Sequence, residues 1–251
     1  MAIPRFFVPL SADSLDEALS KGTEVALPEK AAHHARRALR LRNGEAVTIF
    51  CGNGKEWQGT IRIERDAAWV TLDRVAQPLR ESPVRMTLVQ ALVAPEKLDW
   101  IIEKAVETGV TDIILTPASR SVTRLSGERL EKRLEKCREI ARGAAEQCGR
   151  NVVPSIVATH TLEDAFGGID ADCRLMLAPG AQQPARLSPS LKKIAFAVGP
   201  EGGFSEEEIQ LSVQKGWSPV LLGPRILRTE TAGIAAAVWI NTILGDYPSE
   251  L

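Results

Sequence analysis

A chain of 251 residues, 44% hydrophobic and 25% charged, is long enough for one or two buried cores, and its composition excludes fibrous, low-complexity and disordered classes. Its 31 Lys and Arg against 32 Asp and Glu leave a formal charge of −1. That excludes a global pull toward nucleic acid, so any acidic partner must be met by a local basic patch. Four cysteines without a CxxC pair, three histidines without ligand spacing, no apolar run of bilayer length and no secretory signal lead us to expect reduced thiols, no metal centre and a cytoplasmic protein.

Residues 1–75 read as mostly strand. The segments 6–8, 23–27, 45–50, 56–64 and 68–75 are short, rich in β-branched or aromatic residues, and several alternate apolar with polar. CGNGK at 51–55 is a turn signal. One helix is expected after Pro28, over EKAAHHARRAL. Short strands around a helix suggest a small β-barrel, and QPLRESP at 77–83 reads as a linker. The expected domains are 1–75 and 76–251.

From Arg85 the rhythm changes to strand–helix alternation. MTLVQALV precedes PEKLDWIIEKAVETG, with Pro95 in the first turn and Gly109 at the end. DIILT, a long helix over 127–147, and strands near 152–157, 173–178, 194–198 and 219–222 follow. This order predicts a mostly parallel sheet covered on both faces.

Two strands in that series end in glycine. AVGPEGGFSEEEI at 197–209 runs from strand through a tight loop into a capping box, Ser205 with Glu208 three residues on. LLGPRILRTETAGIAAA at 221–237 repeats the order, with small residues keeping the following helix thin. In parallel α/β sheets ligands lie outside the carboxyl ends of the strands. The P-loop and GxGxxG patterns are absent and GGFSE is not a nucleophile elbow, so the loops are either a ligand cleft or structural turns.

These two stretches, with HHARRALRLRNGEAV, CGNGKEW, SRSVTRL and AAEQCGRNVVP, resemble the ribosomal RNA small subunit methyltransferase E family. The resemblance covers nearly the whole chain. It implies a C-terminal SPOUT-class α/β domain with a trefoil knot, a PUA-like N-terminal RNA-binding β-barrel and a homodimer. It also implies S-adenosylmethionine as cofactor and methylation of uracil N3 at one uridine of 16S rRNA in the assembled small subunit. Carried over, the cofactor pocket is Leu177, Gly199, Pro200, Glu201, Gly202, Leu222, Gly223, Ile226 and Leu227.

N3 of uracil becomes a nucleophile only as its proton leaves and charge spreads to O2 and O4, so such an enzyme needs donors for those oxygens and, where the site itself takes up the proton, a base. Arg228 is the first candidate for the anion. Glu230 is either the base or a favourable charge at a helix N-terminus, and the helix role is preferred. Glu146 and Arg150, four apart, are either a helical ion pair or groups that reach the uracil or its phosphates. Cys148 is read as packing, because N3 alkylation needs no covalent adduct. The candidate phosphate contacts are Arg5, Arg36, Arg40, Arg120, Arg124 and Arg150. On helix 127–147, i,i+3 pairs such as Lys132 with Glu135 suggest a solvated face instead. The alternatives left open are a non-catalytic RNA-binding protein, a nicotinamide-dependent oxidoreductase, and a SPOUT enzyme acting on another RNA.

Overall fold

The computed structural model describes residues 3–247. They form two compact units. One comprises the residues up to 81 together with 145–153, and the other comprises 82–144 with the residues from 154 onward.

In the first unit the chain runs β1 (Arg5–Phe7), α1 (Ala12–Lys21), β2 (Glu24–Ala26), α2 (Glu29–His33), a π-helical turn over His34–Ala38, β3 (Ala46–Phe50), β4 (Glu56–Glu64) and β5 (Ala67–Ala76). The sheet order is β1-β3-β4-β5-β2, parallel only between β1 and β3. Alternation along β4 sends Trp57, Gly59 and Ile61 into a core with Phe6, Val8, Leu15, Ile49 and Val70. The register shifts between Gln58 and Gly59, where a Cβ on Gly59 would stand 2.1 Å from the Thr71 carbonyl oxygen.

Two expectations need correction here. Helix α1 was not anticipated. Ser11 caps it by accepting the Ser14 N–H, and left-handed Gly22 ends it. Ten residues are marginal alone; burial of Leu15 and the bonds of Asp16 to Trp57 Nε1 (2.8 Å) and Lys55 Nζ (3.0 Å) fix it. The single helix expected after Pro28 instead changes to π geometry at His34.

The second unit contains β6 (Arg85–Ala91), α3 (Pro95–Glu107), β7 (Asp112–Thr116), α4 (Gly127–Cys148, its last turn counted with the first unit), β8 (Ser155–Ala158), α5 (Leu162–Gly167), β9 (Cys173–Leu177), β10 (Lys193–Val198), α6 (Glu206–Gln214), β11 (Ser218–Val220) and α7 (Thr229–Leu244). Its six strands are all parallel, in the order β11-β9-β10-β6-β7-β8. Helices cover both faces, as a doubly apolar sheet requires. Ala195 and Ala197 join Phe166, Phe204 and Trp217 on the side of α5 and α6. On the other, α7 packs on β6, β10 and α3; Gly233 brings its backbone close to Val198 and Leu88.

Buried Asn241 anchors α7. Its Nδ2 donates to the Thr108 carbonyl (2.7 Å) and its Oδ1 accepts from Ser82 Oγ (2.7 Å). Past β11 the chain stays in register with the segment that follows β9. Leu221 N–H donates to the Gln183 carbonyl (2.9 Å) and Ala185 N–H to that of Leu221 (3.0 Å). On α4 the expected pair of Lys132 with Glu135 is replaced by another. Lys132 meets Glu128, while Arg133 and Lys136 converge on Asp99 of α3.

Candidate functional site

At the carboxyl ends of β9, β10 and β11 the second unit holds a cavity of about 340 Å³. Leu177, Val198 and Val220 form its floor where the three strands stop, and the two glycine loops form its walls. Of the nine expected cofactor residues, Leu177, Gly199, Pro200, Glu201, Leu222, Gly223, Ile226 and Leu227 line it. Gly202 does not; a Cβ there would lie 3.1 Å from Cβ of Arg120, so it faces away from the cavity. Gly223 has φ +77 and Gly203 φ +68, a region that disfavours side chains.

The first glycine loop is tied down from three directions. Thr229 Oγ1 donates to the Gly199 carbonyl at 2.7 Å. The same hydroxyl accepts from Gln90 Nε2 at 3.1 Å, which also donates to the Ala91 carbonyl at 3.0 Å. Gln90 is fully buried in the middle of the sheet and Thr229 nearly so. At the loop's tip, the Glu201 carboxylate accepts from Lys97 Nζ (3.2 Å) and from Ala94 N–H (3.3 Å), both at the start of α3. Burial pushes the Glu201 carboxyl up, but its own N–H, that of Ala94 and the Lys97 ammonium outweigh this and hold it below the usual carboxylate range. Beneath the loop, Arg120 Nη1 donates to the carbonyls of Gly202 (3.1 Å) and Phe204 (3.3 Å).

The capping box forms as expected. Ser205 Oγ accepts the Glu208 N–H (3.2 Å), Glu208 Oε2 accepts that of Ser205 (2.8 Å), and Glu208 Oε1 takes the Ser119 N–H (2.7 Å). Such a wall is preset before any ligand arrives.

Arg228 sits at the cap of α7 with an 84% exposed side chain on the cavity wall. Glu230 follows in the first turn, its Oε1 4.0 Å from Arg228 Nη1; its Oε2 is buried with no hydrogen-bond partner. The cavity thus combines apolar side chains, many main-chain groups and a carboxylate oxygen in need of a donor or a cation. Among the described residues no cluster of His, Cys, Asp and Glu could hold a metal ion.

Other expected site residues lie in the first unit and are engaged there. Glu146 Oε1 accepts the Phe7 N–H at 2.7 Å; burial raises its carboxyl above the ordinary value, opposed by that N–H and by Arg5. Gly149 at φ +86 turns the chain off α4, so Arg150 is not helical and the expected i,i+4 face is not formed. Arg150 is 4% exposed and forks onto Glu81 Oε2 at 2.7 and 2.9 Å. Arg5 donates to Glu56 Oε2 (2.7 Å), to the Arg150 carbonyl (3.2 Å) and to Asn151 Oδ1. These two arginines are therefore not surface cations. Arg80, from the expected linker, adds bonds to Glu56 (2.8 Å) and the Gly149 carbonyl (2.9 Å).

Arg36 is half-buried and bonded, Arg40 and Arg124 are exposed, and Arg120 serves the glycine loop. Cys148 is half-buried. Sequence reading missed Gln90, Thr229 and Lys97. For Gln90 a signal existed, since an amide inside the apolar run MTLVQALV must find a buried partner.

Comparison with known proteins agrees with both units. A family model described as an RNA methyltransferase domain matches residues 80–241, and one described as an RNA methyltransferase PUA domain matches residues 27–73. The ribosomal RNA small subunit methyltransferase E of Bacillus subtilis is 27% identical over 98% of this chain and 97% of its own. That of Rickettsia conorii is 30% identical over 87% of this chain and 89% of its own. The crystal structure of a ribosomal RNA small subunit methyltransferase E from Neisseria gonorrhoeae, bound to S-adenosyl methionine, superposes with a TM-score of 0.86. It is 33% identical and covers 98% of this chain and 100% of that one.

Proposed function

The chain belongs to the ribosomal RNA small subunit methyltransferase E family, and from that premise we propose that it methylates N3 of one uridine in 16S rRNA of the assembled small subunit. It is an S-adenosylmethionine-dependent RNA methyltransferase with a SPOUT-type α/β domain and a PUA domain. The observation that carries the finer reading is the cavity between the two glycine loops, with Arg228 and Glu230 on its wall.

The cofactor fits what is there. A cavity of about 340 Å³ lies within the range of roughly 300–1,000 Å³ usual for small-molecule sites. Leu177, Leu222, Ile226 and Leu227 offer apolar surface to a flat base, and the loop backbones offer N–H and C=O groups. When bound, S-adenosylmethionine supplies an electrophilic methyl group on a sulfonium centre. The unpartnered Oε2 of Glu230 suits a cavity that receives a cation or a hydroxyl.

The remaining work falls to the chain's own groups. As N3 gives up its proton to solvent, Arg228 donates to the oxygen on which charge gathers. Its exposure lets it reach an extruded base, as an atom on the pairing edge requires. Glu230 holds Arg228 and favours the α7 N-terminus. Glu146, Arg5 and Arg150 are assigned to tethering rather than to catalysis. Arg40 and Arg124 are assigned to phosphate contacts.

The domain division is placed at the change of rhythm near residue 76. The trefoil knot is inferred in the second unit; pairing of 183–185 with Leu221 supports it. A homodimer is inferred through α7, whose Val238 and Ile243 are apolar and exposed, as is Trp100 on α3. The protein is proposed to act in the cytoplasm, and no helix among the described residues is long and apolar enough to cross a membrane.

The test is transfer of labelled methyl from S-adenosylmethionine to small subunits isolated from cells lacking this protein, followed by mass mapping of the 16S rRNA. A single 3-methyluridine is expected. Methylation at another atom, or of another RNA only, would overturn the proposal.

A further inference from the structure

Among the described residues, two side chains other than glycine adopt left-handed backbone, Arg40 (φ +54) and Arg65 (φ +53); the ten other left-handed positions are all glycines. A Cβ is disfavoured in that region, and arginine has no short polar group to offset the cost. Arg65 begins the two-residue turn Arg65-Asp66 between β4 and β5, a place that favours Asn-Gly or Asp-Gly. Backbone held against its preference clusters at functional sites.

Both residues lie on one edge of the first unit. Arg36 binds the turn directly, through Nη1 to the Arg65 carbonyl (2.9 Å) and Nη2 to Asp66 Oδ1 (2.5 Å). A few residues on, Asn43 Oδ1 accepts the Ile63 N–H (2.7 Å) and Gly44 N–H donates to the Ile61 carbonyl (2.8 Å). The segment 36–44, which carries Arg40, is therefore stitched at both ends beside the β4–β5 turn. The π-helical turn His34–Ala38 opens it, and such turns recur at functional sites. Arg37, Arg40, Arg42 and Arg65 are exposed and make no ion pair among the described residues. Nearby acids are engaged, Asp66 by Arg36, Glu64 by Arg62 (3.1 Å), and Glu45 by the Arg42 N–H (3.1 Å).

We propose that this edge is a phosphate-binding surface for the RNA backbone, in which the left-handed Arg40 and Arg65 grip phosphates and Arg36 is a positioning residue that aims Arg65. The inference rests on the reading of RNA as substrate. It also gives Arg36 a task other than direct phosphate contact.

The test is the double substitution Arg40→Gly with Arg65→Gly, beside Arg40→Lys with Arg65→Lys. Binding to small subunits from cells lacking the protein is measured across a salt series, with melting temperature and S-adenosylmethionine affinity alongside. The glycine pair relieves the backbone, so its melting temperature is expected to hold or rise. Its affinity for the subunit is expected to fall about tenfold, its log–log salt slope to flatten by about 1.4 to 1.8 for two lost contacts, and its cofactor affinity to stay put. The lysine pair is expected to keep most of the binding. Unchanged affinity and slope in the glycine pair, with wild-type protein binding and methylating the subunit, overturns this surface. Absence of both activities in the wild type instead overturns the reading beneath it.

Discussion

Thr229→Val probes the tether on which the cavity's shape depends. Valine matches threonine in volume, so the change deletes a hydroxyl without opening a void. It strips the Gly199 carbonyl of its 2.7 Å donor and leaves Gln90 Nε2 with only the Ala91 carbonyl. One buried acceptor left unmet costs about 1–3 kcal/mol. In a chain of this length that corresponds to a fall in melting temperature of roughly 2–4 °C per kcal/mol. The Gly199 carbonyl is free to turn toward the cavity, and a shift worth about 1.4 kcal/mol weakens cofactor binding tenfold. Calorimetric titration with S-adenosylmethionine and a thermal scan read the two effects. Thr229→Ser keeps the hydroxyl and is expected to restore affinity. If Thr229→Val binds cofactor within twofold of wild type and melts within a degree of it, the tether does not set the wall.

Arg228→Ala is expected to lower turnover by about 100-fold, the scale of losing one anion donor, with cofactor affinity unchanged; labelled transfer and calorimetry check it, and near-normal turnover counts against the role. Glu56→Gln is expected to cost about 3 kcal/mol in urea unfolding near neutral pH, because it leaves buried Arg5 without its counter-charge. Burial pushes the Glu56 carboxyl up, but Arg5, Asn151 and Arg80 together hold it below the ordinary 4.5. Its stability contribution is therefore complete above that value and fades as pH falls through the folded value. The Gln variant should lose less stability on acidification than wild type, and equal acid limbs would refute this. Gly59→Ala drives a Cβ into the Thr71 carbonyl at 2.1 Å and is expected to cost at least about 1–3 kcal/mol; an unshifted urea midpoint would mean that the strands part without cost. Val238→Glu with Ile243→Glu is expected to give a monomer by light scattering, and a retained dimer would place the interface elsewhere.

The sequence carried the strands well because their signals are local. All five segments marked as strands before residue 76 are strands, and Ser205 with Glu208 announced α6 through a cap visible in four residues. Helix α1 was lost because ten residues of mixed polarity look like a loop until Asp16 finds Trp57, 41 positions away. A cleft at the ends of the two glycine-ended strands was legible as one of two readings, since parallel topology brings such ends to one edge. The cations were not. Arg5, Arg120 and Arg150 look in sequence like any surface arginine, yet their partners lie 51, 82 and 69 residues distant. Charge alone does not say whether an arginine faces solvent or a buried carboxylate.

That sorting of arginines explains how a chain of net charge −1 can work on a polyanion. Some of its positive charge is consumed internally. Arg5, Arg80 and Arg150 neutralise Glu56 and Glu81, Arg120 holds the glycine loop, and Arg133 caps the Pro95 carbonyl at 2.6 Å. The exposed arginines that make no ion pair among the described residues include Arg124 on its loop and Arg40 and Arg65 on the barrel edge, while Arg228 stands beside the cavity, 4.0 Å from Glu230. An enzyme coated in lysine would bind any RNA it met and release it slowly at low salt. On the surface proposed above, oriented guanidinium groups such as those of Arg40 and Arg65 would instead make affinity depend on meeting phosphates at set positions. Recognition then comes from the shape of a folded RNA rather than from its charge.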